Sequence, residues 1–224
     1  MIIPGILEET FEKAAERIRS VEKVAQTVQV DIVDGKLTDG KTFLDIERLN
    51  SLHTEADIQI HLMVKDPVNY LKRPYFLFPV FTKKIKGVST VITQVVDYDQ
   101  TEQFLKLAKK LGYKVGLSLN SDQEQISLDP FLNTIDLVDF MSVIPGKQGG
   151  DFIPSVLDKI RKFKTEYPAL LTQIDGGIKE FNFQEVLNSG VDNVIIGSGI
   201  FNSENPKEKF LEFSKAAHGS TTNS

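Results

Sequence analysis

Short apolar runs rich in β-branched residues alternate with helical stretches along this 224-residue sequence. Runs that are apolar on both faces are typical of parallel strands covered by helices on both sides, and regular alternation indicates a parallel sheet. Eight strands are predicted, over residues 2–3, 28–33, 58–64, 88–96, 114–120, 137–143, 170–175 and 193–197. Eight repeats in a chain of this length predict an α/β fold closed into a (β/α)8 TIM barrel; an open doubly wound sheet is the alternative.

Capping residues and helical spacing predict the segments between the strands. Thr10 is a candidate N-cap, and Pro67 suits the first position of a further helix. The other predicted helices cover residues 11–21, 44–52, 101–111, 123–132, 155–163, 181–188 and 206–217. Residues 71–86 predict no clear element; their aromatic side chains at 75–81 are candidates for a subunit contact in a homo-oligomer or for a cover on the barrel's flank. We expect a single barrel over residues 1–217 and a flexible C-terminal tail over 218–224.

Amino-acid composition limits the binding partners and the cellular location that we expect for this chain. The sequence carries 26 Lys and Arg against 31 Asp and Glu, a net charge of −5, so we expect no nucleic-acid and no membrane partner. It has no cysteine, which leaves histidine, carboxylate and amide groups as the possible metal ligands. The first residues lack the pattern of a signal peptide, and no apolar run approaches the ~20 residues of a membrane helix. We therefore expect a soluble, cytoplasmic protein.

Polar residues inside three predicted strands mark a candidate site. Functional side chains of TIM barrels lie at the C-terminal ends of the strands, where this sequence has Asp31, His61 and Asp175. A metal ion would neutralise both carboxylates, which are costly to bury unpaired, and would take an imidazole nitrogen. Hydrogen bonds among polar residues at the barrel mouth are the alternative. Gln29 shares a strand face with Asp31, and Met63 with His61, because side chains alternate along a strand.

Glycines after the last two predicted strands indicate a phosphate site. Gly176 and Gly177 follow the seventh strand, and Gly197 and Ser198 follow the eighth. Barrels bind phosphate at this position through bare backbone N–H groups and the start of a short helix. Glycine is also common in ordinary turns after strands, so the interpretation depends on the two turns occurring together.

Seven segments together resemble the ribulose-phosphate 3-epimerase family. They occur in family order along nearly the whole chain: PGIL at 4–7, VQVDIVDG at 28–35, IHLMVKDP at 60–67, GLSLN at 116–120, MSVIPGKQGGDF at 141–152, QIDGGI at 173–178 and IIGSGIF at 195–201. The resemblance implies a metal-assisted isomerase of the pentose phosphate pathway that interconverts D-ribulose 5-phosphate and D-xylulose 5-phosphate. It further implies that Asp31 and Asp175 move a proton on opposite faces of the sugar, through an enediolate.

The same resemblance implies a ligand set and a substrate site. A divalent ion (Zn, Fe, Mn or Mg) would be held by Gln29, Asp31, His61 and Asp175. The sugar phosphate would contact Gly5, His61, Met63, Met141, Gly146, Gly149, Gly176, Gly177, Gly197 and Ser198. Plain core packing is the alternative role for the two methionines.

The sequence departs from the family pattern at several positions. Gln29 stands where the family has a histidine; an amide oxygen is a poorer ligand for zinc or iron, which favours magnesium or manganese, or no ion at all. Gly5 replaces a serine, and Val33 replaces a methionine. In the sixth loop Lys147 and Gln148 replace phenylalanine and glycine, and Lys147 is either a phosphate contact or a solvated loop lysine.

The sequence leaves three functions open. The first is the pentose-phosphate epimerase. The second is an epimerase of a ketose 6-phosphate such as allulose 6-phosphate, and the third is a non-catalytic phosphosugar-binding barrel whose metal site has decayed. A related superfamily of sugar-phosphate decarboxylases and synthases carries D-x-K-x-x-D on the second strand. Gln29, Asp31 and Asp34 occupy those positions here without the lysine, which favours the epimerase branch.

Overall fold

Eight parallel strands form a closed barrel in the computed structural model, which describes residues 1–72, 84–95, 97–124, 128–145 and 149–219. Each strand pairs with the next along the chain, and the last pairs with the first. The strands are β1 (Ile2–Ile6), β2 (Thr27–Val33), β3 (Asp57–Met63), β4 (Val88–Gln94), β5 (Lys114–Leu119), β6 (Leu137–Met141), β7 (Leu171–Asp175) and β8 (Asn193–Ile196). The predicted TIM barrel is confirmed, and the open doubly wound sheet is wrong.

Helices cover the outside of the barrel. They are α1 (Phe11–Val21), α2 (Pro67–Leu71), α3 (Tyr98–Lys110), α4 (Val156–Glu166), α5 (Glu180–Leu187), α6 (Ser198–Phe201) and α7 (Pro206–Gly219), and a 3-10 helix covers Ile46–Ser51. The Thr10 hydroxyl accepts from the backbone N–H of Lys13 at 3.3 Å and so caps α1. Asp66 caps α2, in which Pro67 is the first residue.

The helix predicted over 123–132 does not form in the described part of that segment. Residues 129–134 make turns. Pro130 has no N–H to donate, and it disfavours helical backbone at Asp129 before it. Leu128 and Phe131 are nonetheless buried, so apolar residues three apart here line the inner side of a turn.

Side chains alternate between two environments along each strand. Phe140 on β6 points outward and packs edge-on against Phe163 of α4, with ring centroids 5.6 Å apart. Its neighbour Asp139 is fully buried, and by the same alternation it points into the barrel. The barrel interior is unusually polar, since it also encloses Gln29, Gln59, Ser118 and Gln173.

Two of the sequence predictions concern the ends of the described ranges. α7 extends to Gly219, two residues beyond the predicted end of the barrel, and residues 220–224 lie outside the described residues. The aromatic segment at 75–81 also lies outside them, so its proposed subunit contact stays a prediction. Within the described ranges, no helix combines the length and apolar character that a membrane crossing requires.

Candidate active site

Three strands bring the predicted acidic and histidine side chains together at the barrel mouth. Asp31 on β2 lies in register with His61 on β3, and Asp175 is the last residue of β7. The His61 Nδ1 atom lies 3.5 Å from Asp175 Oδ2 and 3.8 Å from Asp31 Oδ1. One ligand atom from each of the three residues can be chosen so that all lie within 4.8 Å of one another. The predicted trio therefore converges.

The trio fits a divalent cation. Among the described residues neither ring nitrogen of His61 has a hydrogen-bond partner, although the side chain is completely buried. A buried orphan imidazole next to two buried carboxylates is costly unless a cation binds them all. Ligands about 2.0–2.2 Å from one ion lie roughly 3–3.5 Å from each other, so small shifts of these side chains would complete a site.

Burial and mutual repulsion perturb the protonation of this group. Burial, together with the negative charge of Asp175, raises the pKa of Asp31 to about 8. Burial acts to lower the pKa of His61, but the surrounding carboxylates Asp175, Asp139 and Asp31 outweigh it and raise that pKa to about 9. Without a cation, the trio therefore retains protons at neutral pH that an incoming ion must displace.

Gln29 donates to both carboxylates. Its Nε2 atom donates to Asp31 Oδ1 at 2.9 Å and to Asp175 Oδ2 at 2.6 Å. Its Oε1 atom accepts from Nε2 of Gln59 at 2.8 Å and from Nε2 of Gln173 at 3.1 Å. The sequence prediction had Gln29 offering its oxygen to an ion; here the oxygen faces away from the carboxylates and the nitrogen faces them. Sequence reasoning missed the two supporting glutamines.

A third buried carboxylate lies beneath His61 and was also missed. Asp139 Oδ2 accepts from the hydroxyl of Ser118 at 2.6 Å and lies 4.0 Å from His61 Nε2. Burial raises the pKa of Asp139 to about 6. Metal-binding histidines commonly direct their second nitrogen at such a carboxylate. The alternation of side chains on β6 was the available signal, because Asp139 is two residues from Met141.

One pocket at the mouth collects most of the predicted substrate residues. Those that line it are Gly5, Asp31, Met63, Met141, Gly149, Asp175, Gly176, Gly177, Gly197 and Ser198. His61 and Gln29 lie beneath it, with no exposed surface, while Gly146 and Lys147 lie outside the described residues. The pocket also includes residues that sequence reasoning did not select: Leu7, Val143, Pro145, Gly150 and Ile178. Met63 and Met141 are almost fully buried, yet both line the pocket. They therefore pack in the core and also form part of the pocket wall.

The glycine turns after β7 and β8 form one end of the pocket. Gly177 has a φ of +68°, and a Cβ there would lie 2.9 Å from the Cα of Phe152, so only glycine fits. Ser198 opens α6 immediately after Gly197. The ammonium group of Lys179 donates to Ser198 Oγ at 2.6 Å and places a cation at this end of the pocket. Lys179 is a further residue that sequence reasoning missed, although it follows Gly177 by only two positions.

The fold and the site together define a class: a parallel (β/α)8 barrel with a candidate metal group beside a candidate phosphate pocket, both at the C-terminal ends of the strands. Within that class, the chain belongs to the ribulose-phosphate 3-epimerase family, whose model matches residues 1–201.

Relatives agree with this membership, and a solved structure shares the fold. The ribulose-phosphate 3-epimerase of Buchnera aphidicola subsp. Baizongia pistaciae (strain Bp) is 33% identical, over 92% of this chain and 90% of that protein. The cytoplasmic isoform of Oryza sativa subsp. japonica is 29% identical, over 100% of this chain and 96% of that protein. The structure of 3-hexulose-6-phosphate synthase from Salmonella typhimurium superposes with a TM-score of 0.69 at 13% identity and covers 97% of this chain and 98% of that chain, which is a likeness of fold.

Proposed function

We propose that this chain is a ribulose-phosphate 3-epimerase that interconverts D-ribulose 5-phosphate and D-xylulose 5-phosphate. The observation that carries the proposal is the convergence of Asp31, His61 and Asp175 beside a glycine-lined pocket. Family membership and relatives named for this activity support it. The cysteine-free composition supports the finer proposal that the chain works in the cytoplasm, and the proposed reaction supports a role in the pentose phosphate pathway.

Asp31 and Asp175 are the proposed acid and base. They extend from β2 and β7, on either side of the β1–β8 pair, and both line the pocket. Gly5 of β1, the strand next to β2, also lines the pocket and carries no side chain. A ketose whose third carbon lies between the two aspartates has one carboxylate on each side. One removes the proton next to the carbonyl group, and the other returns a proton to the opposite face.

The phosphate end of the substrate is assigned to the glycine turns. Backbone N–H groups at Gly177 and Gly197, the hydroxyl of Ser198 and the ammonium of Lys179 form an anion-binding end of the pocket. Fixing the phosphate there orients the sugar, so that the reacting carbon remains in reach of both carboxylates during proton transfer.

Asp31, His61 and Asp175 would hold a divalent ion. When bound, such an ion supplies positive charge that stabilises the developing negative charge on the substrate oxygens. A set with two carboxylates and one imidazole, and no thiolate, supports the finer proposal of a hard ion such as Mn²⁺ or Mg²⁺. Metal analysis of the purified protein tests this choice.

Deuterium exchange tests the proposed reaction. Ribulose 5-phosphate incubated in heavy water with the protein and Mn²⁺ is expected to gain deuterium at carbon 3 and to form xylulose 5-phosphate. Asp175→Asn keeps the shape but removes the base, so the rate should fall by about 10²–10⁴-fold while inhibition by inorganic phosphate persists. Asp57→Asn is the matched control, because Asp57 starts β3 at the opposite end of the barrel.

Absence of exchange by the wild-type protein with every divalent ion tried would reject the proposal. Exchange of allulose 6-phosphate but not of ribulose 5-phosphate would assign the ketose 6-phosphate instead. Loss of phosphate inhibition in Asp175→Asn would show that the roles of the two ends of the pocket are wrongly divided.

A further inference from the structure

We propose that Gln29 is a locked hydrogen-bond donor that ties the two catalytic aspartates together, and that it is not a ligand of the ion. The inference rests on the proposed function for the roles of Asp31 and Asp175. It concerns how the ion is held: by three side chains, with a neutral amide fixing the separation of the two carboxylates.

The nitrogen side of the amide is fully used. The two Nε2 hydrogens of Gln29 are matched by two carboxylate oxygens, Asp31 Oδ1 at 2.9 Å and Asp175 Oδ2 at 2.6 Å. Once an ion has displaced the proton of Asp31, both carboxylates are ionised and only accept hydrogen bonds, and bonds to ionised acceptors are stronger than those between neutral groups. Charge complementarity therefore directs the amide nitrogen, and not its oxygen, at the aspartates.

The oxygen side of the amide is used as well. Gln29 lies in register with Gln59 on β3, and Gln173 approaches from β7. Both direct their own Nε2 at Gln29 Oε1, and Gln59 Nε2 also lies 3.3 Å from Gln173 Oε1. A half-turn of the Gln29 amide would set its oxygen against two carboxylates and its NH₂ group against two other NH₂ groups. All three side chains are almost completely buried, so water cannot satisfy the groups that such a turn would leave unpaired.

The amide shares its acceptors with the ion. Asp31 Oδ1 and Asp175 Oδ2, which accept from Gln29, are also the carboxylate atoms near His61 Nδ1. Each carboxylate oxygen has two acceptor positions, so the amide and an ion can be bound at once. The hydrogen bonds of the amide then withdraw some electron density from the two carboxylate oxygens that bind the ion, while they hold those oxygens in place. A ligand would strengthen metal binding directly; a donor of this kind does not.

Nuclear magnetic resonance of the Gln29 side chain distinguishes the two roles. In wild-type protein saturated with diamagnetic Mg²⁺ or Zn²⁺, Gln29 Nε2 is expected to show scalar couplings across its hydrogen bonds to the carboxylate carbons of Asp31 and Asp175, as in the metal-free protein. If ion binding abolishes these couplings, the amide has turned its oxygen to the ion and the proposal is overturned. This measurement needs no variant.

The metal affinity of Gln29→Met provides the second measurement, by competition of Mn²⁺ with a chromophoric chelator. Removal of a donor should leave the dissociation constant within about threefold of wild type or make binding tighter. Binding weakened by more than threefold would contradict the donor role. Gln94→Met is the matched control, since Gln94 is buried on β4 and its amide nitrogen has no partner among the described residues.

These outcomes are independent of the deuterium-exchange test. If Gln29 Nε2 keeps its couplings to both aspartates in a protein without deuterium-exchange activity, the donor role stands and the epimerase function is rejected. If the protein is an active epimerase but its Gln29 amide turns when the ion binds, the proposed function stands and the donor role of Gln29 is rejected.

Discussion

Replacing Gly177 with alanine should destabilise the protein and impair the phosphate end of the pocket. The added methyl group meets two separate obstacles. With a φ of +68°, any residue with a Cβ costs about 1–2 kcal/mol. The same Cβ would lie 2.9–3.0 Å from Cα, Cβ and N of Phe152, and crowding of that kind costs a further ~1–3 kcal/mol.

Gly190→Ala separates these two costs. Gly190 has a φ of +79°, but a Cβ there would meet nothing within 4 Å. Its substitution should therefore cost only the backbone part, about 1–2 kcal/mol, against about 2–5 kcal/mol for Gly177→Ala. For a protein of this size each kcal/mol lowers Tm by about 2–4 °C.

Chemical denaturation of both variants, with inhibition by inorganic phosphate, measures the difference. Gly177→Ala should lose phosphate inhibition by tenfold or more, because the Phe152 backbone or the glycine turn has to move. Gly190→Ala should retain it. Equal stability losses in the two variants, or unchanged phosphate inhibition in Gly177→Ala, would refute the argument that Phe152 closes this turn to larger residues.

Three further predictions concern charge at the site. Lys179→Met should raise KM for the phosphorylated substrate about tenfold or more with little change in kcat, since the ammonium near Ser198 acts on the anion; Lys179→Arg should keep KM near wild type in the same steady-state assay. Metal affinity, followed by isothermal titration from pH 8 to pH 6, should fall about tenfold or more per pH unit, because the raised pKa values of Asp31 and His61 mean that the ion displaces protons; a flat profile would contradict those protonation states. Asp139→Asn should lower the pKa of His61 in the metal-free protein, because Asp139 is one of the carboxylates that raise it, and a titration of the imidazole resonances would show whether it does.

Residues at strand ends were predictable from the sequence. Asp31, His61 and Asp175 each lie at or near the C-terminal end of an apolar run, and parallel strands bring those ends to one rim. The same alternation along β6 predicts that Asp139 shares the barrel interior with Met141. The position of a residue within a strand is thus a local property, and it can be derived from the amino-acid sequence alone.

The orientation of Gln29 was not predictable in the same way. An amide presents an oxygen and a nitrogen of nearly equal size, and its surroundings decide which one faces a neighbour. Here the decision depends on Gln59 and Gln173, which come from β3 and β7 and approach each other only inside the closed barrel. Side-chain contacts across a barrel depend on its closure, and no spacing within one segment encodes them.

The pairing of β8 with β1 also bears on how the chain matures during synthesis. Asp31 and Asp175 lie on strands that flank this seam, so their separation is fixed only once Val194 of β8 has paired with Ile2 of β1. A chain that ends before β8 lacks the strand that joins β7 to β1, so nothing fixes the separation of its two aspartates. The ion and the phosphate then bind the closed barrel more tightly than a chain without the β8–β1 pairing, and so stabilise the closed barrel. Ligands bound at this rim would therefore favour the molecules in which β8 has paired with β1.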